Sequence, residues 1–408
     1  MEGIEKIIHD DARYVLENIG VGAKSQKIID TFEGSYMAGY DSSIGRIYIL
    51  KDLINCCIDS APKRSKHPVP EHSFGGGGVA AFLEQGDDYI TPNVNTHTAE
   101  IFRIANEFNI PFMFKGCSAK QTPEEEVRQL EVMRDYYDEY IYTRVETPQG
   151  IEKALQDYEN TGMLATTHSI INSPLKFNET GKNVEAFYDC AEKGLPLYMT
   201  SMPISTLTGP ASMYGMAVLS YAEFLASMVL SQLINPGVMA INGAFPTAGN
   251  PSNGYQPALG TLFHNQMNYL AARVSNVCDF PSIQSGCTIT GQHHIPIGDG
   301  YTDYETENGL RCWNRWKDWH QVRHTLGFVN NLAAFNIDKM RRDAVSLERV
   351  LKNNYQTDIE VDDVYYDNEA YDAIKQGSLA NNFKDIDHTV KNVGVFQEYL
   401  AKTLPLDI

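Results

Sequence analysis

Apolar residues Ile4, Ile7, Ile8, Ala12, Val15, Leu16 and Ile19 recur at helical spacing, and Gly20 and Gly22 supply a stop. Two further helices are predicted around residues 28–32 and 50–60, the second ending at Pro62. From Phe74 the pattern changes to short apolar runs separated by helical stretches. The runs are the Gly-rich segment FGGGGVAAF, then 111–114, 140–142, 163–167, 197–201, 238–242, 283–287 and 326–330. Helices are predicted over 97–108, from Thr122-Pro123-Glu124-Glu125, from Thr147-Pro148, and over 184–194. Thr followed by Pro at the first helical position and Glu at the third is a start signal with a mechanism. The hydroxyl takes a free backbone N–H, proline needs no N–H there, and the carboxylate returns to the cap. Eight strand candidates alternating with helices predict a (β/α)8 barrel rather than an open sheet.

Residues 196–272 carry one charged side chain, Glu223. The stretch reads as an apolar run, a Gly/Pro loop, a long helix, a Pro-Gly stop and a second apolar run. That is a βαβ unit whose strands are covered on both faces. A barrel helix ordinarily keeps a charged outer face, and the helix near 211–234 has almost none. Its outer side is therefore expected to be buried as well, most simply against another subunit in a homo-oligomer. Its length suits a membrane span, but its Ser, Tyr and Gln residues, Glu223 near the middle and flanking strands favour a buried helix of a soluble protein.

Composition narrows the partners. A net charge of −19 over 408 residues disfavours nucleic acid and anionic membranes. Seven scattered cysteines without a CxxC read as reduced thiols of a cytoplasmic protein. The acidic N-terminus lacks the apolar core of a signal peptide. Four glycines at 75–78 have neither a following Lys-Ser/Thr nor a GxGxxG context, so a nucleotide loop is not indicated.

The segments LPLYMTSMPISTLTGPASMYG, AEFLASMVLSQLINPG and GAFP resemble the core of the trimethylamine methyltransferase family, the corrinoid-dependent methyltransferases. IIHDDARYVLENIGV, VETPQGIEKAL, HTLGFVNNLAAFNIDKMRRDAVSL and FKDIDHTVKNV extend the resemblance over nearly the whole chain. It implies a TIM barrel that passes a methyl group from a methylated amine to the cobalt of a separate corrinoid protein. Trimethylamine-using relatives depend on pyrrolysine, and this sequence has standard residues only. A quaternary amine is thus the implied substrate class: a betaine, a carnitine-like molecule or a choline relative. The glycines at 75–78 stand where betaine-using relatives tend to carry an aromatic, and GDGYTDY replaces the family's Asp-Ala-Gln pattern.

Site candidates follow from both lines. His324, opening HTLGFVNN, would alone read as a core histidine; the family motif places a substrate-pocket histidine there. His293 and His294 follow a predicted strand, where barrel active-site loops lie, and their adjacency lets at most one face the pocket. His168, just after MLATT, has the same topological claim and an equal claim to a structural role. Phe245 is a candidate wall, because a quaternary ammonium cannot donate a hydrogen bond and is held by aromatic faces. Trp313, Trp316 and Trp319, beside Tyr301 and Tyr304, read first as packing. Around His293 and His294 no HxH or HxxxH spacing points to a metal.

The sequence therefore predicts an α/β chain with a helical N-terminal extension (1–70), a (β/α)8 barrel (71–343) and a helical C-terminal appendage (344–408). The implied activity is methyl transfer from a quaternary amine to Co(I) on a partner corrinoid protein, with residues that position rather than catalyse. A non-catalytic ligand-binding barrel of a corrinoid pathway, and a barrel enzyme using histidine acid–base chemistry, are the alternatives.

Overall fold

The computed structural model describes residues 3–69, 76–77, 82–85, 88–90, 94–107, 109, 111–114, 122–179, 181–205, 207–210, 212–250, 256–257, 262–284, 334–335, 374–375 and 378. Its centre is a parallel sheet of six described strands: β1 (Gly76–Gly77), β2 (Phe112–Phe114), β3 (Tyr140–Thr143), β4 (Leu164–His168), β5 (Leu197–Met199) and β6 (Ala240–Asn242). Each strand pairs in parallel with its sequence predecessor, and the order never reverses. A parallel bridge between Asn242 and Ser282 continues the sheet beyond β6. A further pair, Ala334–Phe335, runs parallel to Phe82–Gln85, which forms a hairpin with Asp88–Ile90. The fold is mixed α/β. The strand expected at 326–330 lies outside the described residues, as does nearly all of the C-terminal appendage.

The crossover helices begin where their sequences specify. In α5 (Pro123–Tyr136) the Thr122 hydroxyl accepts from the Glu125 N–H at 3.2 Å, and the Glu125 carboxylate accepts from the Thr122 N–H at 2.8 Å. In α6 (Pro148–Thr161) Thr147 caps the Gly150 N–H at 3.0 Å. Buried Glu126 of α5 joins the two, accepting from the backbone N–H groups of Glu146 at 2.8 Å and Thr147 at 3.0 Å.

The uncharged helix is α8 (Met213–Ile234), buried throughout from Tyr214 to Gln232. Its inner side packs on β5 and β6, and its outer side on α1 (Ile4–Asn18), α2 (Gln26–Glu33) and α3 (Lys51–Ser60). The helices α7 (Lys182–Glu192) and α9 (Leu262–Asn276) flank it. Its most apolar 18-residue window is 89% buried inside the chain, so it is a core helix here. The expectation that a second subunit covers its outer face is thereby corrected, since the N-terminal helices of the same chain do so. Sequence spacing could not reveal this, because contacts between residues 8–58 and 214–232 are set only by the folded path.

The N-terminal extension is also not purely helical. Strands Ala38–Asp41 and Arg46–Ile49 form an antiparallel hairpin, paired onward through Val21–Gly22 to Lys176–Phe177. Its turn is locally specified: the Asp41 carboxylate accepts from the Ser43 N–H at 2.9 Å, and Gly45 takes φ +67°. Arg46, also buried, caps the end of α1, donating to the carbonyls of Ile19 at 2.8 Å and Gly20 at 2.7 Å. It also donates to Ser378 at 2.7 Å, tying in the C-terminal segment.

Glu223 is fully buried at the middle of α8. It accepts from the Ser173 hydroxyl at 2.8 Å and the Leu175 N–H at 3.0 Å, fastening the loop between β4 and α7. Burial raises its pKa from 4.5 to about 7, against the lowering effect of these hydrogen bonds. Unfolded, the carboxyl ionises near its ordinary value; folded, it keeps its proton to about 7. Between these values the folded state binds the extra proton, so stability falls as pH rises through the window and levels off above it. Glu223→Gln removes that dependence while other titrations cancel in the comparison. The wild type should lose on the order of 3 kcal/mol relative to Glu223→Gln between pH 4.5 and 8. Parallel stability–pH curves from urea melts would refute the assignment. Leu16→Ala, at a fully buried α1 position in the cluster shared with α8, is expected to cost about 2–5 kcal/mol in the same melts.

Candidate functional site

Alternation along the strands decides which side chains share a face. Register aligns Phe112 with Tyr140, Phe114 with Tyr142 and Ala165, and Thr167 with Tyr198 and Ile241. Phe112, Tyr140, Tyr142, Ala165, Tyr198 and Ile241 pack as one cluster, joined by Phe114, Phe245 and Ile283. The opposite residues Met113, Ile141, Leu164, Leu197 and Met199 pack with the helices in a second cluster. The sheet thus has an aromatic inner face and an aliphatic outer one.

The N-terminal edge of the inner face is closed by His67. Its ring lies 4.9 Å from that of Tyr140, its Nε2 is 3.0 Å from the Tyr142 hydroxyl, and its Nδ1 accepts from the Val69 N–H at 3.2 Å. An accepting Nδ1 leaves the proton of the neutral ring on Nε2, which donates to Tyr142. Burial lowers the His67 pKa to about 4 and favours this neutral form.

The C-terminal edge is the candidate site. The Tyr198 ring lies 5.2 Å from Tyr142 and 6.4 Å from Phe114, and its hydroxyl donates to the Ile283 carbonyl at 3.0 Å. The ring passes over Gly243, where a Cβ would come within 2.2 Å of it. Glycine at 243 is therefore what lets Tyr198 reach across from β5 toward residue 283. Phe245, half-buried in the loop after β6, joins this cluster and is fixed by its N–H donating to the Ser201 carbonyl at 2.7 Å. Thr167, one position before the end of β4, is 7% exposed, and its hydroxyl has no hydrogen-bond partner among the described residues. The described strands turn no charged side chain toward this face.

Of the candidates from sequence, Phe245 lies at this edge. His168 does not face it. Thr167 turns inward, so its neighbour His168 turns outward, where its ring meets Phe187 of α7 edge-on at 5.4 Å. Its Nε2 pairs with the Thr166 hydroxyl at 2.9 Å, and burial pushes its pKa down to about 3. Its side chain is thus placed in the sheet–helix layer and not at this edge, where the sequence reading sets it among the pocket candidates. The physical reason is the two-residue period of a strand. His324, His293 and His294, and the Trp313, Trp316 and Trp319 group, lie outside the described residues. Tyr198, Gly243, Phe114 and Thr167 were missed, although inward alternation at the ends of successive apolar runs was a signal available for them. Among the described residues, no three His, Cys, Asp or Glu side chains converge as a metal site.

Residues 148–398, more than half of the chain, match the model of the family described as Trimethylamine methyltransferase (MTTB). The chain belongs to this family. Among curated relatives it is similar to the glycine betaine methyltransferase of Desulfitobacterium hafniense (strain Y51), at 23% identity over 411 residues, 94% of this chain and 82% of the relative. It is similar to the proline betaine:corrinoid methyltransferase of Eubacterium limosum at 23% identity, over 61% of this chain and 56% of the relative. To the L-carnitine:corrinoid methyltransferase of the same organism it is 22% identical, over 57% of this chain and 53% of the relative. The last two alignments thus span little more than half of the relatives' lengths. Among solved structures, the carboxyl transferase domain of Rhizobium etli pyruvate carboxylase aligns at 9% identity and TM-score 0.32, over 98% of this chain and 67% of that one. A likeness that slight carries no argument. The family is one of methyltransferases, and this member sets an aromatic, uncharged edge at the C-terminal ends of its strands.

Gly243→Ala should force the Tyr198 ring aside and break its bond to residue 283, costing about 1–3 kcal/mol as overpacking does. An unchanged denaturation midpoint would show that the ring does not depend on the glycine.

Proposed function

We propose that this methyltransferase takes a methyl group from a quaternary amine (a betaine, a carnitine-like molecule or a choline relative) and delivers it to Co(I) of a separate corrinoid protein. The observation carrying this reading is the aromatic, uncharged C-terminal edge of the inner face, in a member of a family whose named relatives include corrinoid methyltransferases of proline betaine and carnitine. A quaternary ammonium presents only methyl and methylene groups, and ring faces such as those of Phe114, Tyr198 and Phe245 attract it without a counter-ion. Excluding water strengthens that attraction, which weakens as the departing amine loses its charge. A neutral tertiary amine leaves without a proton, so the chain supplies orientation and desolvation rather than a general acid.

The corrinoid, when its carrier docks, supplies the cobalt that accepts the methyl group. The edge suits such an approach. Gly77 is in register with inward Phe114, so β1 adds no side chain beside that ring. In this reading the sheet closes as a (β/α)8 barrel over 71–343 through a strand at 326–330, flanked by the 1–70 extension and the 344–408 appendage. His324 and one of His293 and His294 enter the pocket from loops at this edge, and the protein works in the cytoplasm.

The test is an anaerobic absorbance assay with reduced corrinoid protein and a panel of quaternary amines. Methyl transfer from one of them is expected, with His324→Ala abolishing it and Phe245→Ala lowering it by roughly tenfold. Binding of an amine without transfer would favour the non-catalytic barrel. Turnover of an uncharged substrate with a bell-shaped pH profile would favour histidine acid–base chemistry.

A further inference from the structure

A buried hydroxyl is ordinarily bonded, because leaving one unpaired away from water costs about 1–3 kcal/mol. The neighbours of Thr167 follow that rule. The Thr166 hydroxyl donates to the Pro196 carbonyl at 3.3 Å and pairs with His168 at 2.9 Å. Thr167 breaks it: 7% exposed and without a hydrogen-bond partner among the described residues, on the inner face near the end of β4. Its register partner is Tyr198, whose ring contacts Phe114 and crosses Gly243. Adjacent strands lie roughly 5 Å apart, so this buried, unpaired hydroxyl stands beside the rings proposed to hold the ammonium.

We infer that Thr167 is a specificity-determining residue, donating a hydrogen bond to an oxygen on the non-methyl arm of the quaternary amine. The inference rests on the reading of this edge as a quaternary-amine site. The rings can hold the cationic head, but they offer nothing to an acceptor oxygen entering the same desolvated space. That oxygen needs a donor, and Thr167 is an inward hydroxyl left open for one. Carboxylate and alcohol arms share this chemistry. A carboxylate gains more, because hydrogen bonds to charged groups are about twice as strong as neutral ones.

Calorimetric titration of the free chain with glycine betaine, carnitine, choline and tetramethylammonium tests this, using wild type, Thr167→Val and Thr167→Ser. Valine keeps the shape and removes the hydroxyl; serine keeps the hydroxyl. Thr167→Val should weaken binding of the preferred oxygen-bearing amine by roughly tenfold or more. It should leave tetramethylammonium unchanged, and Thr167→Ser should restore most of the loss. A greater loss for the carboxylate amines than for choline identifies the arm as a carboxylate; the reverse identifies an alcohol. Equal affinity of wild type and Thr167→Val for the oxygen-bearing amines overturns the role of Thr167 and leaves the amine site standing. Equal weakening for tetramethylammonium overturns it too, since that ligand has no oxygen to lose. No binding of any amine by wild type removes the site itself and the inference with it.

Discussion

The burial of one uncharged helix on all sides is the constraint around which this molecule is arranged. Helix α8 lies between the parallel sheet and a layer made by the first sixty or so residues of the same chain. A helix with no polar face would draw solvent or a neighbour onto apolar surface. Here Ile8, Leu16, Ile28, Leu53 and Ile54 of the covering helices share one buried cluster with it, all nearly or fully buried. The N-terminal extension is thus part of the core and not an accessory. Burying a single apolar side chain of this kind contributes on the order of 2 kcal/mol, so the layer as a whole is a substantial share of the fold's stabilisation.

The one carboxylic acid in that helix shows what such burial demands. Glu223 survives in the core because it has donors: a hydroxyl from Ser173 and a backbone N–H from Leu175. Both come from the loop that follows β4, the strand that also carries Thr167. Ser378 reaches the same loop, donating to the Pro174 carbonyl at 3.3 Å while accepting from Arg46. The N-terminal hairpin, the β4 loop and the C-terminal segment are therefore held as one unit. The end of β4 is fixed from behind by buried hydrogen bonds, while the Thr167 hydroxyl on its inner face is left without a partner among the described residues.

The two faces of the sheet divide the work by chemistry. The outer face is aliphatic and holds the helices. The inner face is ringed by tyrosine and phenylalanine, stoppered at one edge by neutral His67 and left free of charge at the other. An edge of this kind can desolvate a permanent cation without offering it a proton acceptor. In the proposed function its described residues position a substrate without exchanging protons with it, which suits transfer of an intact methyl group.

Much of this was legible from residue spacing. The strand–helix alternation, the Thr-Pro helix starts and the absence of charge between 196 and 272 are local properties, and local backbone physics enforces them wherever they occur. Phe245 was also legible, as an aromatic directly after an apolar run. Three things were not. Whether α8 is covered by a second subunit or by its own N-terminus depends on contacts between residues some two hundred positions apart, which no periodicity encodes. Whether His168 or Thr167 faces the pocket turns on a one-residue phase, and the sequence motif is the same either way. That Tyr198 crosses Gly243 to reach the backbone of residue 283 joins three separate segments of the chain, and only packing fixes it. The sequence alone determined which elements form and that an apolar helix would need covering on every side. The tertiary structure decided what covers it and which side chains meet, because those outcomes follow from chain path and strand phase rather than from composition.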